Sequence, residues 1–177
     1  IGQHLDIDSS KRLDIAIRTA LELKPENTQA QTLTKLCAAL SETTQSTFAG
    51  IARLITKDGI PYARLVAGSN QGKAVEPFEY KLDGTPCGDA TNQKFCIHTD
   101  CVAEAYPSDT LLTEMNAQGY AGLLIQNSMG EDLGIIMIID TKPINSPVDP
   151  QTALKLFGAR ASVELEYSDT QTRLTEA

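Results

Sequence analysis

Apolar residues at helical spacing predict three long helices, two at the start of the chain and one at its end. The first is predicted over residues 10–24 and ends at Pro25; the second begins near Asn27 and runs to Ser41. The last begins at Asp149-Pro150, a cap followed by a first-turn proline. Their stripes are, in order, Leu13, Ile17, Ala20 and Leu21; Leu33, Leu36, Cys37 and Leu40; and Leu154, Phe157, Ala161 and Leu165.

The middle of the chain carries β-strand patterns. Asp58-Gly59 is a two-residue hairpin signal between two strands, and residues 67–74 are predicted to be a loop. A short helix capped by Ser108 or Asp109 and ended by Gly119 interrupts the later strands. The predicted strands are Phe48–Ile55, Ile60–Val66, Phe78–Leu82, Lys94–Thr99, Tyr120–Gln126 and Leu133–Ile139.

This order of elements predicts an α+β domain, in which helices cover one face of a mainly antiparallel sheet of about six strands. We expect residues 26–168 to form the domain, with a helical extension over 1–25. Residues 169–177 are expected to lead towards a further module.

Composition and charge narrow the classes of function. Of 177 residues, 41% are hydrophobic, which is enough for a core. The net charge of −8 opposes binding to nucleic acids or anionic membranes, since both require clustered positive charge. No apolar run reaches the roughly 18–20 residues of a membrane span. Without a secretory segment the chain is expected to be cytoplasmic, and its start at Ile1 suggests an excised piece.

The four cysteines leave several interpretations open. The irregular spacing of Cys87, Cys96, His98 and Cys101 matches no known metal-ligand pattern, so no metal or other cofactor is expected. A redox pair of Cys87 with Cys96 or Cys101 is an alternative, but reduced, buried thiols are favoured. Cys37, in a helical stripe, is expected to be a buried apolar residue. His98 has no recognisable catalytic partner, which favours a surface or pocket-rim position.

The central motifs carry a family resemblance. They comprise Thr85-Pro86-Cys87-Gly88, Phe95-Cys96-Ile97-His98, Tyr106-Pro107 with Asp109, Gly119-Tyr120-Ala121-Gly122, and Leu133-Gly134-Ile135-Ile136-Met137. In this order they resemble the GAF domains of bacterial signalling proteins, over residues 75–168. The resemblance implies a Thr-Pro-Cys turn and a small-molecule pocket on the sheet face away from the helices. The segment from Asp83 to Gly119 would form the lid of that pocket.

The ligand-binding residues expected from this resemblance are Cys87, Phe95, Ile97, Tyr106, Asp109, Leu112 and Tyr120. An aromatic hydroxyl fixes the orientation of a ligand while apolar residues exclude water. Gly122, on the face of Tyr120, would leave room where a ligand approaches. Alternatively, Tyr106-Pro107 only stiffens the chain and Asp109 only caps the short helix.

The resemblance implies a non-catalytic sensory domain whose output module, a histidine kinase or a GGDEF-type diguanylate cyclase, lies outside this chain. The glycine signatures of phosphate sites and the motifs for cyclic nucleotides and bilins are absent. Homodimerisation through the terminal helices is expected. The first helix has an apolar stripe, and the other two long helices already suffice to cover one face of the sheet. Two alternatives stay open: a thiol enzyme resembling free-methionine-sulfoxide reductases, carried by Cys87, Cys96 and Cys101, and a ligand-free dimerisation module.

Overall fold

The computed structural model describes residues 11–12, 14–16, 18, 22 and 28–176. The stripe of the first predicted helix, Leu13, Ile17, Ala20 and Leu21, lies outside the described residues, as does Asn27. Residues 11–12, 14–16, 18 and 22 are helical, and Ala16 is fully buried against the core that the other long helices share.

The two remaining long helices begin where side-chain caps are available. Helix α1 (Gln29–Thr44) starts after Thr28, whose hydroxyl accepts a bond from the Gln31 amide while the Gln31 side chain accepts one from the Thr28 amide. The last helix, α5, spans Pro150–Glu176. Its cap is Asp149, whose carboxylate accepts from the Thr152 amide at 2.9 Å. The predicted stripe of α5 is completely buried.

Seven strands form one antiparallel sheet. They are β1 (Phe48–Lys57), β2 (Ile60–Asn70), β3 (Lys73–Ala74), β4 (Phe78–Lys81), β5 (Phe95–His98), β6 (Gly119–Gln126) and β7 (Asp132–Asp140). The order is β3-β2-β1-β7-β6-β5, with β4 also paired to β2. Asp58 and Gly59, at φ of 51° and 78°, make the predicted tight turn.

The predicted loop over residues 67–74 is wrong. Strand β2 continues to Asn70 and turns back into β3 through Gln71 and Gly72, both at positive φ. Gly68 and Ser69 lack the branched or aromatic side chains of a strand signal, but β2 is held there by pairing with β1. Tertiary pairing therefore overrides the local composition.

Strand β7 separates two hydrophobic cores. Ile136 and Ile138 point into the core beneath α1 and α5, whereas Ile135, Met137 and Ile139 point into a second core on the opposite face. Successive side chains of a strand face opposite ways, and both faces of this strand are covered. This explains why Leu133–Ile139 is a continuous apolar run.

The second core lies under a covering segment, residues 82–118, which contains helices α2 (Pro86–Gln93), α3 (Val102–Ala105) and α4 (Thr110–Met115) and also the edge strand β5 of the sheet. The Thr-Pro-Cys motif opens α2 rather than forming an isolated turn: Thr85 accepts a bond from the Gly88 amide at 3.1 Å, and Pro86 occupies the first turn. Helix α4 ends at Asn116, in the left-handed conformation, rather than at Gly119. In the described part of the chain, no helix has the length and apolar character needed to cross a membrane.

Candidate functional site

A cavity of about 470 Å³ lies between the sheet and the covering segment, on the face opposite α1 and α5. Strands β1, β2, β4, β6 and β7 contribute its walls, and the segment from Asp83 to Leu112 closes one side. The apolar side chains that border it come from both layers: Phe48, Leu65, Phe78, Leu112, Met137 and Ile139. The cavity lies on the face of the sheet that the family resemblance implied.

A buried thiol with three partners borders the cavity. Tyr120 and Tyr80 donate their hydroxyl protons to Cys87 Sγ at 3.0 and 3.4 Å, and the thiol itself donates to Met137 Sδ at 3.7 Å. Burial raises the pKa of Cys87 to about 11, although the two phenol bonds oppose this shift. Burial likewise raises the pKa values of Tyr80 and Tyr120. At neutral pH all three groups are therefore uncharged.

Gly122 makes room for Tyr120 and not for a ligand. A Cβ at this position would collide with the hydroxyl and ring of Tyr120, which lies along its own strand over Gly122. The expectation that this glycine opens space for a ligand is corrected accordingly. The space has an internal occupant, whose hydroxyl reaches Cys87.

Charged and polar groups surround the opening of the cavity. Asp83, Asp109 and Ser108 border it, together with Lys81 and with Glu79, whose carboxylate forms an ion pair with Lys57. Asp109 also caps α4, since its Oδ1 accepts from the Leu112 amide at 3.2 Å, so the cavity position and the cap coexist. Partial burial raises the pKa of the Asp109 carboxyl, and this effect exceeds the opposing backbone bonds.

Beside the cavity lies a second polar cluster centred on Tyr106. Its hydroxyl donates to Asp89 in α2 and contacts His98 Nε2 at 2.9 Å, with Cys96 Sγ at 4.0 Å. Because the phenol has one proton and gives it to Asp89, His98 Nε2 must be the donor in the other bond. His98 therefore has a partner, Tyr106, that its local motif did not reveal. Burial, followed by the bond to Asp89, raises the pKa of Tyr106.

Four of the predicted ligand-binding residues border the cavity: Cys87, Asp109, Leu112 and Tyr120. Three do not. Tyr106 belongs to the neighbouring cluster, Phe95 packs against the core beneath the long helices, and Ile97 is 40% exposed.

The assignment of faces in β5 was reversed. Cys96 pairs with Gly122 and Phe95 pairs with Leu123, and directly opposed residues share a face. Cys96 and His98 therefore point towards the cavity side, while Phe95 joins Leu123 beneath α5. Apolar character alone suggested the opposite arrangement.

Sequence reasoning missed several cavity residues, in particular Tyr80, Leu65 and Met137. The alternation of Phe78 and Tyr80 with charged residues was a usable signal for an inward-facing pair. Met137 had no such signal, since it lies in a strand buried on both faces. Within the described residues, no group of three or more histidine, cysteine, aspartate or glutamate side chains is arranged to hold one metal ion.

Comparison with known proteins gives matches in structure but none in sequence. Models of known protein families do not match the chain, and neither does any curated protein. The GAF domain of an Acinetobacter phosphoenolpyruvate-protein phosphotransferase superposes with a TM-score of 0.71 and 11% identity, over 92% of this chain and 98% of that one.

Two other solved structures have the same architecture. Free methionine-R-sulfoxide reductase from Neisseria meningitidis, solved with its substrate, matches with a TM-score of 0.69 and 14% identity, over 92% of this chain and 93% of that one. A bacteriophytochrome from R. palustris matches with a TM-score of 0.65 and 9% identity, over 89% of this chain and 37% of its own length. At such identities the likeness shows the fold: this α+β domain is GAF-like, with helices packed on one face of its antiparallel sheet.

Proposed function

We propose that this chain is a non-catalytic sensory domain that binds a small molecule in the cavity beneath residues 83–112. The observation that carries the proposal is the cavity itself. It combines apolar walls with a few converging polar groups, which is the usual character of a small-molecule site. We further propose that the domain belongs to a cytoplasmic bacterial signalling protein whose output module is a histidine kinase or a diguanylate cyclase.

The groups around the cavity indicate the class of ligand. Glu79 is paired with Lys57, so Asp83 and Asp109 stand against Lys81 at the opening, and the protein as a whole carries a net charge of −8. An anion would be repelled there, while an apolar molecule that is neutral or carries a cationic group would be accepted. The phenols of Tyr80 and Tyr120 are occupied by Cys87, so the apolar walls supply most of the contact.

Strand β7 supplies a route from the cavity to the terminal helix. Met137 and Ile139 border the cavity, while Ile136 and Ile138 lie in the core shared with α5. Arg53 of the adjacent strand β1 binds the Leu165 carbonyl and the Asp169 carboxylate of α5 at 2.9 and 2.8 Å. A ligand that favours one position of strand β7 over another would therefore change how α5 packs on the sheet.

In this proposal, the terminal helices of a homodimer transmit the signal to the output module. Exposed apolar side chains on the described part of α5, Val163, Tyr167 and Leu174, are spaced by four and seven residues, so they share one face. A second copy of the chain presents the same face about a two-fold axis, which buries both stripes. Ile15 lies in the helical residues that precede α1 and is 59% exposed. It would add a further apolar contact to a bundle of helices from the two copies.

A ligand screen with a matched pair of variants tests the cavity. Thr110 borders the cavity and Thr113, one turn later in α4, is exposed and does not border it. We expect a ligand found by thermal shift in metal-free buffer to stabilise the unmodified protein and the variant Thr113→Trp. Thr110→Trp should abolish the shift, because the indole closes the opening. Equal ligand responses from both variants would refute binding in this cavity.

The second candidate function is a thiol redox enzyme. It is favoured by the likeness to the methionine sulfoxide reductase and by two cysteines, Cys87 and Cys96, on the cavity side of the sheet. Burial raises the pKa of both thiols, however, whereas catalytic thiols require a lowered pKa. We therefore expect no thiol-dependent turnover of free methionine sulfoxide. Turnover that is lost in Cys87→Ala would establish the enzyme instead.

A further inference from the structure

Aromatic rings are concentrated around the cavity. The chain has four phenylalanine and five tyrosine residues and no tryptophan, and four of these nine rings border this one space. They come from strands β1, β4 and β6: Phe48, Phe78, Tyr80 and Tyr120. The face of an aromatic ring carries partial negative charge and attracts cations. The wall is therefore apolar and at the same time suited to a positive group.

The two tyrosines offer a ligand their rings rather than free hydroxyl protons. Tyr120 and Tyr80 both donate to Cys87 Sγ, at 3.0 and 3.4 Å, so these protons are already used inside the protein. The ring of Phe78 lies 5.9 Å from that of Tyr80, with an angle of 43° between their planes. One cation can therefore lie within about 6 Å of both ring centres, which is the range of a cation–π contact.

A half-buried carboxylate borders the same space. Asp109 Oδ1 accepts from the Leu112 amide, which is a neutral donor, and among the described residues no lysine, arginine or histidine forms an ion pair with Asp109. Burial is the main cause of the raised pKa values of Tyr80 and Cys87, and the negative charge of Asp109 adds to both. The potential of this carboxylate therefore reaches the groups that line the cavity.

We propose that the ligand of this cavity is a small organic cation of the alkylammonium class, whose head group lies among the aromatic rings with Asp109 as its counter-ion. The inference rests on the proposed function, since it names the ligand class of the same cavity. A quaternary ammonium group binds to ring faces and needs no hydrogen-bonding partner. The other apolar walls of the cavity, which measures about 470 Å³, accept the substituents of the cation.

Other classes of ligand fit these walls less well. An anion would meet the carboxylates of Asp83 and Asp109, and Lys81 is exposed at the rim, where water screens its charge. A neutral molecule would displace water from Asp109 without supplying a counter-ion. The protein's own cations leave these rings available. Lys57 makes a cation–π contact with Tyr62 at 5.3 Å, but Tyr62 does not border the cavity.

A pair of probes with nearly the same shape tests the charge requirement. Choline carries a fixed positive charge, and neohexyl alcohol is its uncharged isostere, in which carbon replaces nitrogen. Calorimetric titration of the full chain should show one choline bound per chain, on the order of tenfold more tightly than the alcohol.

Asp109→Asn should remove most of this difference, because asparagine keeps the cap of α4 but not the charge. The matched control is Asp149→Asn, which makes the same exchange at the cap of α5, away from the cavity. It should retain the preference of the unmodified protein for choline.

A second pair of variants tests the rings. Phe78→Leu should weaken choline binding and leave the affinity for neohexyl alcohol nearly unchanged, because leucine keeps apolar contact but has no aromatic face. Phe95→Leu removes a ring that does not border the cavity, and should change neither affinity. A similar loss for both probes in Phe78→Leu would show that the ring supplies only apolar contact.

Three results would overturn the inference: no binding of choline, equal affinities for choline and neohexyl alcohol, and choline binding that persists in Thr110→Trp or keeps its strength in Asp109→Asn. None of them decides the proposed function. If both probes bind equally and both are lost in Thr110→Trp, the cavity binds small molecules without selecting a cation. The comparison of the two probes uses the unmodified protein, so it is decisive even if a variant fails to fold.

Discussion

Tyr120 in β6 donates its hydroxyl proton to the sulfur of Cys87 in α2, at 3.0 Å, and both side chains are buried. The bond connects the central sheet to the segment that covers the cavity. Gly122 allows it, because any larger residue there would occupy the space of the Tyr120 ring. Three residues of the motif region thus act as one structural unit.

Removing the Tyr120 hydroxyl should destabilise the protein. Tyr120→Phe deletes a buried donor to Cys87, and the loss of such a bond costs about 1 kcal/mol of the free energy of unfolding. Chemical denaturation measures this change. Tyr167→Phe is the matched control: Tyr167 is 63% exposed within one chain, and the change keeps the apolar ring that the proposed dimer stripe uses, so it should have no measurable effect. Equal stability of the two variants would show that the Tyr120–Cys87 bond contributes nothing.

Adding one methyl group at Gly122 should be more disruptive. The new Cβ of Gly122→Ala would overlap the Tyr120 side chain, and such overpacking costs about 1–3 kcal/mol. The cost depends on the tyrosine, so Gly122→Ala should be milder in a Tyr120→Leu background. A double-mutant cycle by denaturation measures this coupling. Strictly additive effects would mean that the glycine is required for a reason other than the ring of Tyr120.

Stability should fall above pH 9, and Cys37 is one of the buried groups that cause the fall. Burial raises the pKa of this thiol from 9.0 to about 12 in the folded protein. Between these values the unfolded chain releases the proton and the folded chain keeps it, so folding is increasingly disfavoured as the pH rises. The stabilisation that comes from the protonated Cys37 thiol is fully present below pH 9. By pH 10 about 1.4 kcal/mol of the free energy of unfolding is lost.

The measurement is the free energy of unfolding at pH 8 and pH 10. Cys37→Ala should reduce the pH dependence by that amount, whereas Cys101→Ala should leave it nearly unchanged because Cys101 is exposed. An identical pH dependence in Cys37→Ala and the unmodified protein would contradict the burial argument.

The proposed dimer predicts that a charge on the outer face of α5 yields monomers. Tyr167→Glu introduces a carboxylate into the stripe of Val163, Tyr167 and Leu174 without touching the buried stripe of the same helix. Light scattering should find a dimer for the unmodified protein and a folded monomer for the variant. Met129→Glu, at an 81% exposed apolar residue between β6 and β7, is the control and should remain dimeric.

A monomeric unmodified protein at concentrations well above micromolar would refute the dimer. The same reasoning applies to Ile17 and Leu21, where charged residues are also expected to give monomers. These two positions lie outside the residues that the structure describes, so Tyr167→Glu is the sharper test.

Local patterns were sufficient to predict most of the elements. The stripes of α1 and α5, the Asp149 cap and the Asp58-Gly59 turn follow from helical spacing and turn chemistry, which act over a few residues. The order of the elements also predicted the α+β class, and the family resemblance implied the face that carries the cavity. The end of β2 and the existence of β3 could not, because pairing with neighbouring strands decides them.

The candidate site divides in the same way. From the sequence, the family resemblance of the motifs grouped Cys87, Asp109, Leu112 and Tyr120 into one site, and it wrongly added Phe95, Ile97 and Tyr106. Only the tertiary structure decided that Cys96 rather than Phe95 faces the cavity side, because ladder register assigns the faces of a short strand. The pairing of Cys87 with Met137 and of Asp89 with Tyr106 likewise depends on contacts between segments far apart in the chain. No spacing within a motif encodes such contacts, since they arise when the covering segment packs on the sheet.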